Sequence, residues 1–393
     1  TVNDHGGGLY VKNGKITLGE ENSADNDVAT IDSIGYGIAL RGEEGDDVNI
    51  FATLTLTSES TTGIYVTGGS LFLHKTATVT STISSIYEFC SSNENNMATD
   101  SYDGVIVENG TIIADGNFTV NFTGVSNTET LKGTALIDSM IRSYAVRVDG
   151  SAAAGSASFE AKNLQINTDG YQNQEGGGVY VNQGKIVLGT ATIYSKGYGI
   201  ALRGSSDSDS VTVNGSLTLK SASTTGIYIT GGSLTLNGEA NITSAIANYE
   251  FVSGASGTVS YDGVFVEGGS LTANTAAFNV KHTGVANDKV GEGDNKNITA
   301  ANAYLDFAIK SFAVRIEGGT STQVSISSGQ ISNFSGGGIY VSGGEVTLQC
   351  NVAATGKQTY DGSYHIPGTA NNWSAPMPMT GGHAVQVDGG RLT

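Results

Sequence analysis

A short unit recurs along this chain and restricts its fold more than any other feature. It reads glycine, apolar, any residue, apolar, then a turn with one or two glycines, then a second alternating run. Gly63-Ile-Tyr-Val-Thr-Gly-Gly-Ser-Leu-Phe-Leu73 and Gly263-Val-Phe-Val-Glu-Gly-Gly-Ser-Leu-Thr-Ala273 are examples. About a dozen such units begin near Gly8, Gly37, Gly63, Gly104, Tyr144, Gly178, Gly199, Gly226, Gly263, Phe312, Gly338 and His383. Apolar alternation with period two makes strands with one buried face. Glycine supplies the positive φ that tight corners need. Short strands separated by glycine corners and repeated at this interval indicate a solenoid.

The units are grouped into larger blocks. Gly6-Gly-Gly-Leu-Tyr-Val11 returns at Gly176 and again at Gly336, offsets of 170 and 160. Gly35-Tyr-Gly-Ile-Ala-Leu-Arg-Gly42 returns at Gly197, an offset of 162. Tyr144-Ala-Val-Arg-Val-Asp returns as Phe312-Ala-Val-Arg-Ile-Glu, an offset of 168. The chain is therefore read as one elongated domain, 1–393, with blocks at about 6–175 and 176–335 and a partial third at 336–393. The predicted architecture is all-β: a right-handed parallel β-helix of about a dozen turns. Irregular turn lengths favour that hand over the strict left-handed hexapeptide type. Five stretches depart from the pattern and are expected to be excursions: Ile83–Ser101, Val125–Ser143, Thr243–Ser260, Val285–Lys310 and Val352–Thr380. Two of them, at Thr134–Arg142 and Ala301–Lys310, have the apolar spacing of short helices.

Composition agrees and excludes. The 393 residues include 56 glycines and only 3 prolines, as expected where every strand donates to a neighbour. A net charge of −18 repels phosphate backbones, so nucleic acid is not an expected partner. No apolar run reaches membrane-spanning length, and no membrane insertion is expected. Two cysteines cannot staple the chain, and the separation of Cys90 from Cys350 argues against a bond between them.

Within each unit, the residue between the two apolar positions should point outward. That column reads Tyr10, Ala39, Tyr65, Ile106, Arg147, Tyr180, Ala201, Tyr228, Phe265, Arg315, Tyr340 and Gln386. If the units stack in register, the aromatics form a broken stripe up one face. Such a stripe serves either a binding surface or the pairing of aromatics along a sheet. The last excursion adds Tyr360, Tyr364 and Trp373, beside all three prolines. These aromatics, with Arg147 and Arg315, are the candidate binding residues. Metal ligands and cofactors are not expected. The acidic corner Glu43-Glu-Gly-Asp-Asp47 and its counterpart Ser205-Ser-Asp-Ser-Asp209 lack a calcium-loop spacing and read as solvated turns. Carboxylates repeat with the blocks (Asp103 with Asp262, Asp149 with Glu317) instead of gathering in one groove, which argues against catalysis.

Gly382-His-Ala-Val-Gln-Val-Asp-Gly-Gly-Arg-Leu392 and Gly226-Ile-Tyr-Ile-Thr-Gly-Gly-Ser-Leu-Thr-Leu236 resemble the rungs of autotransporter passenger domains, which belong to type V secretion and include self-associating bacterial adhesins. The resemblance implies export through the outer membrane and display at the cell surface. It implies adhesion to a second copy on a neighbouring cell, or to a host glycan or matrix protein. It also suits an excerpt from a larger precursor, since neither a signal peptide nor a membrane barrel is evident. The function expected is a non-enzymatic adhesin acting by multivalent contacts. The alternatives are a polysaccharide lyase or hydrolase, and a dedicated glycan or matrix binder without self-association.

Overall fold

The computed structural model describes residues 7–21, 27–59, 61–83, 103–125, 143–150, 157–167, 176–222, 224–245, 262–274, 277–283, 312–333, 337–354, 358–359, 364–365, 372–373, 378–379 and 384–393. Among them there are strands and turns and no helix. The two helical expectations, and most of the five excursions, lie outside the described residues. The third and fifth excursions begin later than expected: Thr243 lies within the strand Ala240–Ala245, and Val352 within Asn351–Ala354.

The strands wind into a parallel β-helix with three faces. The first face is a ladder of twelve parallel strands, from Leu9–Val11 through Ile64–Gly68 and Ile227–Gly231 to Val385–Val387. Each contains the glycine-led segment of one unit. The second face carries the run after the glycine corner, for example Ser70–Leu73, Ser233–Leu236 and Ser270–Ala273. The third carries strands such as Thr53–Ser58, Ala77–Ile83 and Leu217–Ser221. In the middle of the rod Thr111–Val125, Ser158–Ile166 and Lys185–Ser195 each run through the corner between the second and third faces. They join these two ladders without closing a barrel. One coil supplies one rung to each face, so the axis advances about 4.8 Å per coil.

Each coil buries alternate side chains. Ile64 and Val66, Leu71 and Leu73, and Ala77 and Val79 are sealed in one coil, and their register partners above and below are sealed likewise. The result is one continuous apolar column from Val11 to Val346. Burying a valine or leucine stabilises by about 1.5–3 kcal/mol relative to exposure, so the summed column outweighs any single surface contact. The corner from the first to the second face turns on glycine. Gly232 and Gly269 occupy adjacent coils with φ of 77° and 71°. A Cβ on Gly269 would sit 2.3 Å from the Gly232 carbonyl oxygen, so both conformation and proximity require glycine there.

Candidate binding face

The outward column of the first face stacks in strict register. Tyr10 pairs with Ala39, Ala39 with Tyr65, Tyr65 with Ile106 and Ile106 with Arg147. Arg147 pairs with Tyr180, Tyr180 with Ala201, Ala201 with Tyr228 and Tyr228 with Phe265. Phe265, Arg315, Tyr340 and Gln386 complete it. Backbone pairing with the coil on either side fixes the phase of each coil, which is why insertions in the turns leave this column unbroken.

A second column, three residues earlier, explains the shape of the face. Where the outward residue is alanine or arginine, this position holds a ring: Tyr36, Tyr144, Tyr198 or Phe312. Where the outward residue is tyrosine, it holds a small residue: Thr62, Gly177, Thr225 or Gly337. Rings of one coil therefore lean over the tyrosine of the next. Centroids are 5.2 Å apart for Tyr36 and Tyr65, 4.9 Å for Tyr144 and Tyr180, 5.1 Å for Tyr198 and Tyr228, and 5.0 Å for Phe312 and Tyr340. A Cβ at Gly177 would lie 2.3 Å from the Tyr144 ring, so the missing side chain makes room for it. Such pairs contribute about 0.5–1.5 kcal/mol beyond burial.

The stacking alters what the stripe offers. Tyr144 and Tyr198 are fully buried, Tyr228 is 8% exposed, and Tyr65, Tyr180, Phe265 and Tyr340 are half-buried. Tyr10, on the first coil, is exposed. Tyr144, Tyr198, Ala201 and Tyr228 form a satellite apolar cluster outside the coil, with Tyr180 and Phe265 against it. Much of the aromatic surface is thus spent on the protein itself.

Arginines and carboxylates border each ring pair. Arg147 lies 4.4 Å over the Tyr180 ring and is held by Asp149 at 3.0 Å and Asp103 at 3.6 Å. Arg315 lies 5.1 Å from the Tyr340 ring and is held by Glu317 at 2.8 Å and Asp262 at 3.0 Å. The buried Asp103 and Asp262 each accept a backbone N–H at 2.7 Å, from Tyr144 and Phe312, at the point where the chain re-enters the first face. Burial pushes the Asp103 carboxyl up to about 6, against the opposing pull of Arg147 and the Tyr144 N–H. In the other two groups the tyrosine is the donor. Tyr65 donates to Glu108 at 2.9 Å and Tyr228 to Glu267 at 2.6 Å, and burial plus these bonds raises both phenols.

Arg41 and Arg203 were absent from the sequence-derived candidates. They lie over Tyr65 and Tyr228 at 5.5 and 5.6 Å. The signal was the shared Gly-Tyr-Gly-Ile-Ala-Leu-Arg-Gly string, whose arginine was read only as part of a repeat. Tyr360 lies outside the described residues. Tyr364 and Trp373 are backbone partners in a two-residue antiparallel ladder. That ladder is not part of the first-face column.

Other polar clusters are accounted for by the coil. The Asp46 carboxylate accepts Gly14 N–H at 2.6 Å and Glu43 N–H at 2.8 Å, and Asp209 accepts Gly184, Ser205 and Ser206 N–H groups. These acidic corners cap turns. Among the described residues no group of three His, Cys, Asp or Glu side chains converges as metal ligands. Ser244 and His282 lie 2.8 Å apart in the manner of a nucleophile and base, but both are fully buried. They belong to a polar ladder, Ser195, Ser221, Ser244, His282 and Asn333, at the corner from the third face to the first. Cys350 is a free, half-buried thiol, and Cys90 lies outside the described residues. No family model, curated protein or solved structure matches this chain.

Proposed function

We propose that this chain is the binding rod of a bacterial cell-surface adhesin of the autotransporter passenger type, without enzymatic activity. Its activity is attachment by contacts repeated along the rod, to a second copy or to a host surface. The observation that carries this reading is the first-face column. Four aromatic–arginine groups recur on it, at coils two to three, five to six, seven to eight and ten to eleven. Repetition of related, partly exposed groups suits avidity, in which weak bonds sum through linkage. A reaction centre needs one convergent set of groups. Here the carboxylates of Asp103, Asp149, Asp262 and Glu317 occur as two equivalent sets, each engaged by an arginine.

Sedimentation velocity over a hundredfold concentration range, at low and at physiological salt, tests the homotypic form. With a net charge of −18, self-association must overcome mutual repulsion that salt screens. The expected result is a reversible dimer that strengthens with salt and weakens in a variant truncating Tyr65, Tyr180 and Tyr340. A monomer under every condition overturns self-association as the activity.

A further inference from the structure

The four arginines of the first face divide into two kinds. Arg147 and Arg315 each hold two carboxylates between 2.8 and 3.6 Å. Arg41 and Arg203, equivalent at an offset of 162, hold none among the described residues. Each instead lies over a tyrosine whose hydroxyl is engaged by a glutamate, Glu108 or Glu267. The Nε of Arg203 and that of Arg315 are both buried without a hydrogen bond, but only the Arg315 Nε has a carboxylate beside it, Asp262 at 3.0 Å. An arginine left unpaired in a chain of net charge −18 is notable, because nearby acids are abundant and the equivalent face positions use them. A guanidinium over a ring leaves its terminal Nη groups for other partners, and these match the geometry of a carboxylate or sulfate.

We propose that Arg41–Tyr65–Glu108 and Arg203–Tyr228–Glu267 are two copies of a subsite for an acidic sugar. The arginine takes the anionic group, and the neighbouring glutamate accepts from sugar hydroxyls. The glutamate separates a sugar from a bare anion. An inorganic anion gains only the arginine, whereas a sugar acid also carries hydroxyl donors for the glutamate on the next coil beyond the tyrosine. The two subsites belong to the second and seventh coils, so five steps of about 4.8 Å place them about 24 Å apart. One rod can therefore hold two acidic residues of a surface-bound glycan. This inference rests on the adhesin reading and specifies its ligand.

The test uses the whole chain on beads bearing a uronic-acid oligosaccharide, its carboxyl-reduced form, or a sulfated oligosaccharide. Retention is expected on one or both acidic beads and not on the reduced one, and the bead that retains identifies the anionic group. Arg41→Ala and Arg203→Ala should each weaken retention about tenfold and together abolish it, as loss of one and then both linked sites requires. Lys15→Ala, remote on the second face, should leave it unchanged. Equal retention on the reduced bead overturns the proposal. So does a double variant that unfolds at the wild-type temperature yet binds like wild type, or a wild type that binds no bead. Displacement by inorganic sulfate as effective as by the free sugar acid overturns the sugar assignment. If glycan binding fails while sedimentation still shows self-association, this inference falls and the adhesin reading stands.

Discussion

The two corners that flank the first face are built on opposite principles. Leaving the face, the chain turns on glycines with positive φ, seen at Gly69, Gly110, Gly232, Gly269, Gly344 and Gly390. Entering it, the chain is held by side chains. Ser221 donates toward Gly197 O at 2.7 Å and Thr224 O at 2.9 Å, and Asp103 and Asp262 accept the first N–H groups of the strand. The long stretches 84–102, 126–142, 246–261 and 284–311 all depart at this entry corner. The tight glycine form of the exit corner has a fixed length because its carbonyl contacts repeat from coil to coil, and in coils two, seven and ten a longer turn ending at Asp47, Ser210 or Gln323 replaces it. A side-chain-defined corner only has to recapture the chain on its return. Length changes fall in the turns and not in the paired strands, so block offsets vary from 160 to 170 while the outward column keeps its register.

Breaking the exit corner should cost most. Gly269→Ala places a Cβ against the Gly232 carbonyl in a left-handed conformation, and about 3 kcal/mol or more of stability should be lost. Gly319→Ala, where nothing lies within 4 Å of the added atom, should change stability little. Denaturant unfolding of the two variants separates them, and equal midpoints would refute the backbone account of this corner. At the entry corner, Asp262→Ala removes a buried acceptor and one of two partners of Arg315. A loss of about 2 kcal/mol is expected, smaller than for a fully buried pair because Glu317 remains. Asp262→Asn keeps an acceptor for the Phe312 N–H and should recover part of it. Ser221→Ala should cost about 1 kcal/mol, the size of one net hydrogen bond.

How much of this was legible in the sequence follows from the same contrast. The exit corner and the strands beside it obey local rules, glycine for φ and period two for burial. The twelve coils and the complete outward column were therefore readable one unit at a time. The entry corner is not local. The ladder through Ser195, Ser221, Ser244 and His282 joins residues 23 to 38 positions apart, at intervals that depend on coil length. The ring pairs were hidden for the same reason. Tyr144 and Tyr180 stand 36 residues apart, and only the folded coil shows that the small Gly177 makes room for Tyr144. Without those pairs, the sequence could present the stripe but not its half-burial, nor the contrast between Arg203 and Arg147.

The last predicted effect is the most specific to the entry corner, because it turns on one proton. Asp103 titrates near 6 in the fold, above the ordinary carboxylate value of 3.8, and burial is the main cause. A raised carboxyl pKa means that the folded state binds the proton more tightly than the unfolded state. Its contribution to stability is therefore fully present below pH 3.8 and is lost as pH rises through 6. Most carboxylates held by arginine behave in the reverse sense. Asp103→Asn keeps an oxygen for the Tyr144 N–H and removes the titration. The difference in unfolding temperature, wild type minus variant, should therefore rise between pH 7.5 and 4.5, since the titrations of all other groups cancel in the subtraction. A difference that falls on acidification would mean that the 3.6 Å contact with Arg147 outweighs burial and keeps Asp103 ionised. In that case the ion pair, and not burial, sets the titration at the entry corner.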